Sequence, residues 1–329
     1  MTENEVRSVA ELVTPCEVGA HVVAAGFLGD EAVFASGEGE VVFLNGKKAA
    51  AHPGGSILEA VFDGERIVTA GDDGRVVATG AEGNSETLAE VKNKWIDHVA
   101  LGPDGALAWS AGKTAYVKTK KGERSFEAPS TVGGLAFAPK GFRLAVAHYN
   151  GVSLWFPNSD AKPEFLEWKG SHLCLRWSPD GKFLVTTMQE NALHGWRIAD
   201  SKHMRMSGYP ARIRSICFSH DGKWLATSGA EAVVMWPFAS KDGPMGKEPE
   251  MLASARQGSR VTCVSFHPSS QALSVGYSDG MVMMARMSDG AEILVRGPEG
   301  GEVTALAWHR SGMSLAYGTD EGKAGVLNL

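Results

Sequence analysis

The sequence predicts an all-β fold assembled from short repeats. Three observations lead there. Glycine is abundant, 40 of 329 residues, about 12% against a usual ~7%. Alternating apolar runs, the signature of half-buried strands, are broken by tight Pro/Asp/Gly turns. The same run–turn–run pattern returns along the whole chain, as in LCLRWSPDGKFLVTT from Leu173, SICFSHDGKWLATSG from Ser215 and LAFAPKGFRLAVA from Leu135.

Each element can be placed from the residue just before the turn. These anchors are Phe27, Phe62, Leu101, Phe137, Trp177, Phe218, Phe266 and Trp308, spaced 35 to 48 residues apart. Two residues earlier every repeat is apolar, from Ala25 to Leu306. Five residues earlier all but His172 are apolar: Val22, Ile57, Ile96, Val132, Ile213, Val261 and Val303. A second strand follows the turn, such as ALAWSA from Ala106. A Gly, Asp or Asn corner comes next, such as Asp72-Asp73-Gly74, then a third strand, such as VSLWF or AVVMW. A weaker stretch, such as AEILVR from Ala291, completes most repeats. Four short strands per ~40 residues is the pattern of a β-propeller blade. The last repeat stops after its third strand, while residues 6–13 form an unassigned β-like stretch. Closing the last blade with that stretch removes an open edge. The expectation is one propeller domain, residues 1–329, with eight four-stranded blades, or seven if repeat one or three is misread. The longest insertion, Ser240 to Gly258, reads as a surface loop.

On these residues the chain resembles the Trp-Asp (WD) repeat family. The resemblance is carried by the Ser-Pro-Asp-Gly turn at Ser178, its Ser-His-Asp-Gly variant at Ser219, and Trp155, Trp196 and Trp236 in third strands. It covers nearly the whole chain and is strongest in repeats four to six. It implies a rigid, non-enzymatic platform for proteins or peptides. Two departures stand out. The family's Gly-His before the first strand has no clear counterpart, and no repeat ends in Trp-Asp: Arg197 follows Trp196 and Pro237 follows Trp236. The family's Asp–His–Ser–Trp hydrogen-bond network is therefore expected to be absent or partial, with apolar packing holding the blades.

Composition narrows the function. The net charge of −6 argues against a sequence-independent nucleic-acid binder, which needs a basic field. No run of 18 apolar residues is present, so no membrane partner is expected. The acidic opening Met-Thr-Glu-Asn-Glu is unlike a secretory signal. Four scattered cysteines without a Cys-x-x-Cys fit a reducing cytoplasm. A monomer is expected.

Catalytic motifs find little support. Gly105 to Thr114 ends in Gly-Lys-Thr, but Leu107 stands where a phosphate loop needs glycine. There is no Gly-x-Ser-x-Gly elbow and no His-Glu-x-x-His. Cys174 and Cys263 share the position three before the anchor and, with Cys217 one before it, are read as small buried fillers; His98 shares the position of Cys174 and Cys263, and a metal site across those first strands is the minor alternative. No cofactor is expected. A channel-mouth enzyme of hydrolase or lactonase type needs polar groups on several first strands, and only Glu59, Asp97 and His98 offer them. A client-binding assembly factor is the remaining alternative.

A partner is expected where the first strands begin. Six residues before the anchor stand His21, Ser56, Trp95, Thr131, Ser171, Arg212, Arg260 and Glu302; four before, mostly polar residues including Asp97, Arg214, Thr262 and Thr304. Arg212, Arg214 and Arg260, with Arg256 in the preceding connection, would repel one another unless an anion, such as an acidic peptide, neutralised them. Trp95 beside Asp97 is the second candidate, since tryptophan and arginine are enriched among interface hot spots. The plainer reading pairs the arginines with Glu302 as solvated bridges and packs Trp95 under a loop. His21 and Glu302 complete the candidate rim.

Overall fold

The computed structural model describes residues 7–254 and 258–329. The fold is all-β, a β-propeller. Among the described residues the strands form seven hydrogen-bonded sheets, of which five have four strands, one has five and one has six. The eight sequence repeats map onto these seven sheets, the alternative count, because repeats four and five share one. A 14-residue strand, Glu164–Trp177, joins them. Its first half pairs with Gly151–Leu154 of repeat four, and its second half with Leu184–Met188 of repeat five.

Contacts gather the chain into two bodies. The first comprises Met1–Ser36, Val42–Lys47 and Arg214–Leu329; the second comprises Gly37–Val41 and Lys48–Ile213. In both, apolar clusters fill the space between successive sheets rather than one shared centre. Repeats two and three meet through Val68, Ile96, Val99 and Trp109. Repeats six and seven meet through Val233, Val264, Phe266 and Tyr277.

The N-terminus closes the last repeat, as the strand count requires, but with a different segment. Val13–Glu17 pairs antiparallel with the third strand of repeat eight, Val13 opposite Leu327 and Glu17 opposite Lys323. Of the expected stretch 6–13, Val6 lies outside the described residues. Arg7–Ser8 instead runs parallel to Glu292–Arg296, as a fifth strand of the repeat-seven sheet. Burial explains the shift: Cys16 and Val18 enter the apolar cluster between repeats eight and one, with Val22 and Phe27. Pro15, which has no N–H to give, is tolerated on an outermost strand.

The first strands share one deformation. Register slips after Val22, Ile57, His172, Val261 and Val303. Each slip is a bulge that re-aims the residue after it. The residues five before the anchor are all at or below 2% exposure, His172 included. Their predecessors are exposed or half-buried in every repeat. This repeated alternation sets which side chains a partner can reach.

Candidate partner-binding surface

The arginines do not form the expected free cluster. Arg214 Nη1 donates to Glu302 Oε1 at 3.0 Å, an ion pair between repeats six and eight of the first body. Glu302 is thus an internal counter-anion, as the plainer reading has it. Arg260 is exposed; its backbone N–H donates to Ser278 Oγ. Arg212 belongs to the second body and reaches Gln189 Oε1 at 3.4 Å. Arg256 lies outside the described residues. The structure therefore brings together Arg214 and Glu302 of the predicted set. His21 is exposed at the start of repeat one.

Trp95 is not packed under a loop. Its side chain is in solvent, 63% exposed, the highest value among the large apolar residues described. Asp97 is half-buried. Leu58, which the sequence places four before the anchor on the same rim, and Tyr149, which the sequence reading passed over, are also exposed apolar residues of this body. Leu58 sits at a first-strand bulge, between Ile57 and Glu59.

Thr262 and Thr304, grouped by sequence with the varied rim, turn out to be straps. Thr262 Oγ1 donates to the Val303 carbonyl at 2.7 Å, and Thr304 Oγ1 to the Val22 carbonyl at 2.7 Å. Each bulge turns its threonine toward the backbone of the next first strand. The positions three before the anchor act similarly. Val264 donates its N–H to Ser215 Oγ, and Val99 donates its own to Glu59 Oε2. His98 Nδ1 lies 3.3 Å from the same Glu59 oxygen. Burial opposes charge on His98, yet the hydrogen bond and field of Glu59, with Asp97 adding, raise its pKa. Glu59 and His98, two of the three polar groups an enzyme reading requires, thus hold one strand to the next. Cys263 fills the core, and burial pushes its thiol up to about 11 despite the Ser215 hydroxyl.

One part of the expected packing account needs correction. A histidine does precede a first strand: His52, fully buried, leads into repeat two. Its Nδ1 lies 2.9 Å from Asp73 Oδ1 and its Nε2 2.8 Å from Thr69 Oγ1. Burial holds its pKa below the usual histidine value against the pull of Asp73. The sequence signals were the Asp72-Asp73-Gly74 corner and a threonine in the preceding strand. The chain of bonds ends there: Val77, whose carbonyl accepts from Thr69, stands on the facing third strand. Polar networks as well as apolar packing therefore brace these sheets. Asp–His–Thr bracing of this kind is the partial network that the resemblance allowed.

Comparison with known proteins agrees. Residues 201–236 and 251–284 match the family described as "WD domain, G-beta repeat". Those two stretches are WD repeats. "Periodic tryptophan protein 2 homolog" of Neurospora crassa is 23% identical over 247 residues, 63% of this chain and 27% of that protein. "Small ribosomal subunit protein RACK1z" of Oryza sativa subsp. japonica is 25% identical over 111 residues, 34% of this chain and 33% of that protein. The chain thus spans only about a quarter to a third of those relatives' lengths. Among solved structures, the "computationally designed Ika8 protein" superposes with a TM-score of 0.74 at 17% identity, covering 95% of this chain and 98% of that one. That likeness concerns the fold alone.

Proposed function

We propose that this WD-repeat protein is a non-enzymatic scaffold that binds a protein or peptide partner where its first strands begin. The observation that carries the reading is the shared register: a buried residue locks each first strand, and the residue before it is presented to solvent. A rigid frame with variable presented side chains gives specificity at little ordering cost. Relatives named as small ribosomal subunit proteins are parts of an assembly, which favours a scaffold over an enzyme here. Glu59 and His98, engaged with each other, support the same preference.

In the finer reading an acidic segment of the partner docks on Arg214 and Arg260, displacing Glu302, and the scaffold acts as a cytoplasmic monomer without nucleic acid or membrane. None of the four cysteines is in a disulfide, which suits a reducing compartment. No helix among the described residues is long and apolar enough to cross a membrane. The test is affinity capture with wild type and with Arg214→Glu combined with Arg260→Glu. Both side chains are exposed, so stability on melting should fall by no more than about 1 kcal/mol, the worth of an exposed ion pair, while capture of the partner is lost. Capture equal to wild type retires the arginine site.

A further inference from the structure

We propose that Trp95 and Asp97 form a cation subsite, taking the arginine or lysine side chain of a bound peptide. The inference deepens the scaffold reading and rests on it, but uses a surface within the second body, separate from the Arg214–Glu302 pair.

The argument begins with how Trp95 is held. Its connection is bonded on both sides: Val91 donates its N–H to the Gly74 carbonyl at 2.8 Å, and Ile96 donates to the Gly71 carbonyl at 3.0 Å. Gly74 has φ 78°, and a Cβ there would stand 2.5 Å from the Val91 carbonyl oxygen and 2.7 Å from that of Lys94. Only glycine lets the two loops approach so closely. Ile96 is fully buried. An exposed tryptophan usually swings on a mobile loop; this one stands on a fixed base, and that reduces the ordering cost of using it.

The second step is what stands beside it. Trp95, exposed, and Asp97, half-buried, flank the buried Ile96 on this fixed connection. Two residues along an extended chain is about 7 Å, a span that one guanidinium or ammonium can bridge. A cation over an indole face is attracted within about 6 Å of the ring centre, and Asp97 can accept its N–H groups. Among the described residues neither the Trp95 indole nor the Asp97 carboxylate is hydrogen-bonded or ion-paired. Asp97 is half-buried, so its charge is less screened than a surface carboxylate. Its field reaches His98 next door, whose Nδ1 is engaged with Glu59. Lys94, the cation adjacent in sequence, acts on Glu127.

The third step selects the occupant. An apolar side chain would cover Trp95 but bury Asp97 without a partner, at a desolvation cost. An acidic side chain would meet Asp97 directly. A basic side chain satisfies both groups, and the protein's net charge of −6 draws a basic peptide toward it.

The test is selection of a phage-displayed random peptide library on the full chain, with Trp95→Ala as the counter-selecting target. Peptides dependent on Trp95 should share an arginine or lysine at one position. In synthetic versions, norleucine or citrulline there should weaken binding about tenfold, a typical worth of a partly desolvated cation–π contact plus its ion pair. Asp97→Asn should weaken the basic peptide by a similar factor and leave the norleucine peptide unchanged. Melting curves of both variants should overlay wild type. Trp95-dependent peptides without a shared basic residue overturn the proposal, as does the absence of any Trp95-dependent peptide. Peptides that depend on Arg214 and Arg260 but ignore Trp95 overturn it too, while keeping the scaffold reading.

Discussion

The two bodies use one repeat but fasten their strands with different chemistry. In the first, hydroxyls tie the first strands: Thr262, Thr304 and Ser215 each bind the backbone of the next first strand, while His267 and His309 bond the Gly312 and Gly29 carbonyls at the turns. In the second, histidines do it. His52 binds Asp73 and Thr69, His148 binds Ser153, His172 binds Thr186, and His98 binds Glu59. His194 adds a fourth buried imidazole to His52, His148 and His172, stacked on Trp168 with ring centres 4.0 Å apart, with neither ring nitrogen hydrogen-bonded among the described residues. Hydroxyl straps are indifferent to pH over the ordinary range, whereas imidazole straps are not. The four histidines whose pKa burial lowers, His52, His148, His172 and His194, all belong to the second body, so acid should act there first.

The largest effect should come from the N-terminus, which belongs to the first body. Deleting residues 1–18 removes the strand paired with Lys323–Asn328 and the buried Cys16 and Val18. A fall in Tm of about 10 °C or more is expected by calorimetry, on the scale of several kcal/mol lost. An unchanged Tm would mean that closure by residues 13–17 adds nothing.

Acid comes next and separates the bodies. Burial lowers the pKa of His52, His148, His172 and His194, the last to about 3. Above the unfolded value near 6.5 these rings are neutral in both states. As pH falls below it, the unfolded chain binds protons that the fold refuses, so stability drops. His194 alone should contribute a loss of roughly 2–3 kcal/mol by pH 4. His98 has the opposite sign: its raised pKa adds stability at low pH that is lost as pH rises through its folded value. Hydrogen exchange at pH 5 should show protection falling first in strands such as Phe183–Met188 and Leu193–Arg197, and later in Val261–Phe266. Uniform loss would break the comparison. His194→Phe keeps the ring stacking and removes the unpartnered nitrogens, so it should leave stability at pH 7 equal or raise it by about 1 kcal/mol and flatten the acid response.

The straps give a smaller effect. Thr304→Val deletes a hydroxyl bonded to the Val22 and Gly318 carbonyls at nearly constant shape. Denaturant melts should show a loss of about 1–2 kcal/mol, equal at pH 5 and pH 7.5. Smallest is Arg214→Ala, which cuts an exposed ion pair with Glu302; about 0–1 kcal/mol is expected, vanishing in high salt.

Much of this fold was legible along the chain. Side-chain alternation and turn glycines are local properties, so the anchors, the buried positions from Val22 to Val303 and the run of strands could be read directly. His172 broke the apolar rule at its position, yet it is buried because Thr186 and the Trp168 carbonyl satisfy both ring nitrogens. Nothing local announces those partners. The rim was legible as positions but not as contacts. Arg214 and Glu302 are 88 residues apart, and only folding puts them 3.0 Å from one another.

By itself, then, the sequence determined the strand periodicity, the repeat and the side on which each residue falls, because these follow from backbone geometry and burial within a few residues. Tertiary structure decided which partner each polar group found. It made Thr262 a strap rather than a rim residue, placed residues 13–17 rather than 6–13 on the last repeat, and left Trp95 in solvent. Those outcomes depend on competition among groups distant in the chain, settled only when the strands sit side by side and each donor takes the nearest acceptor.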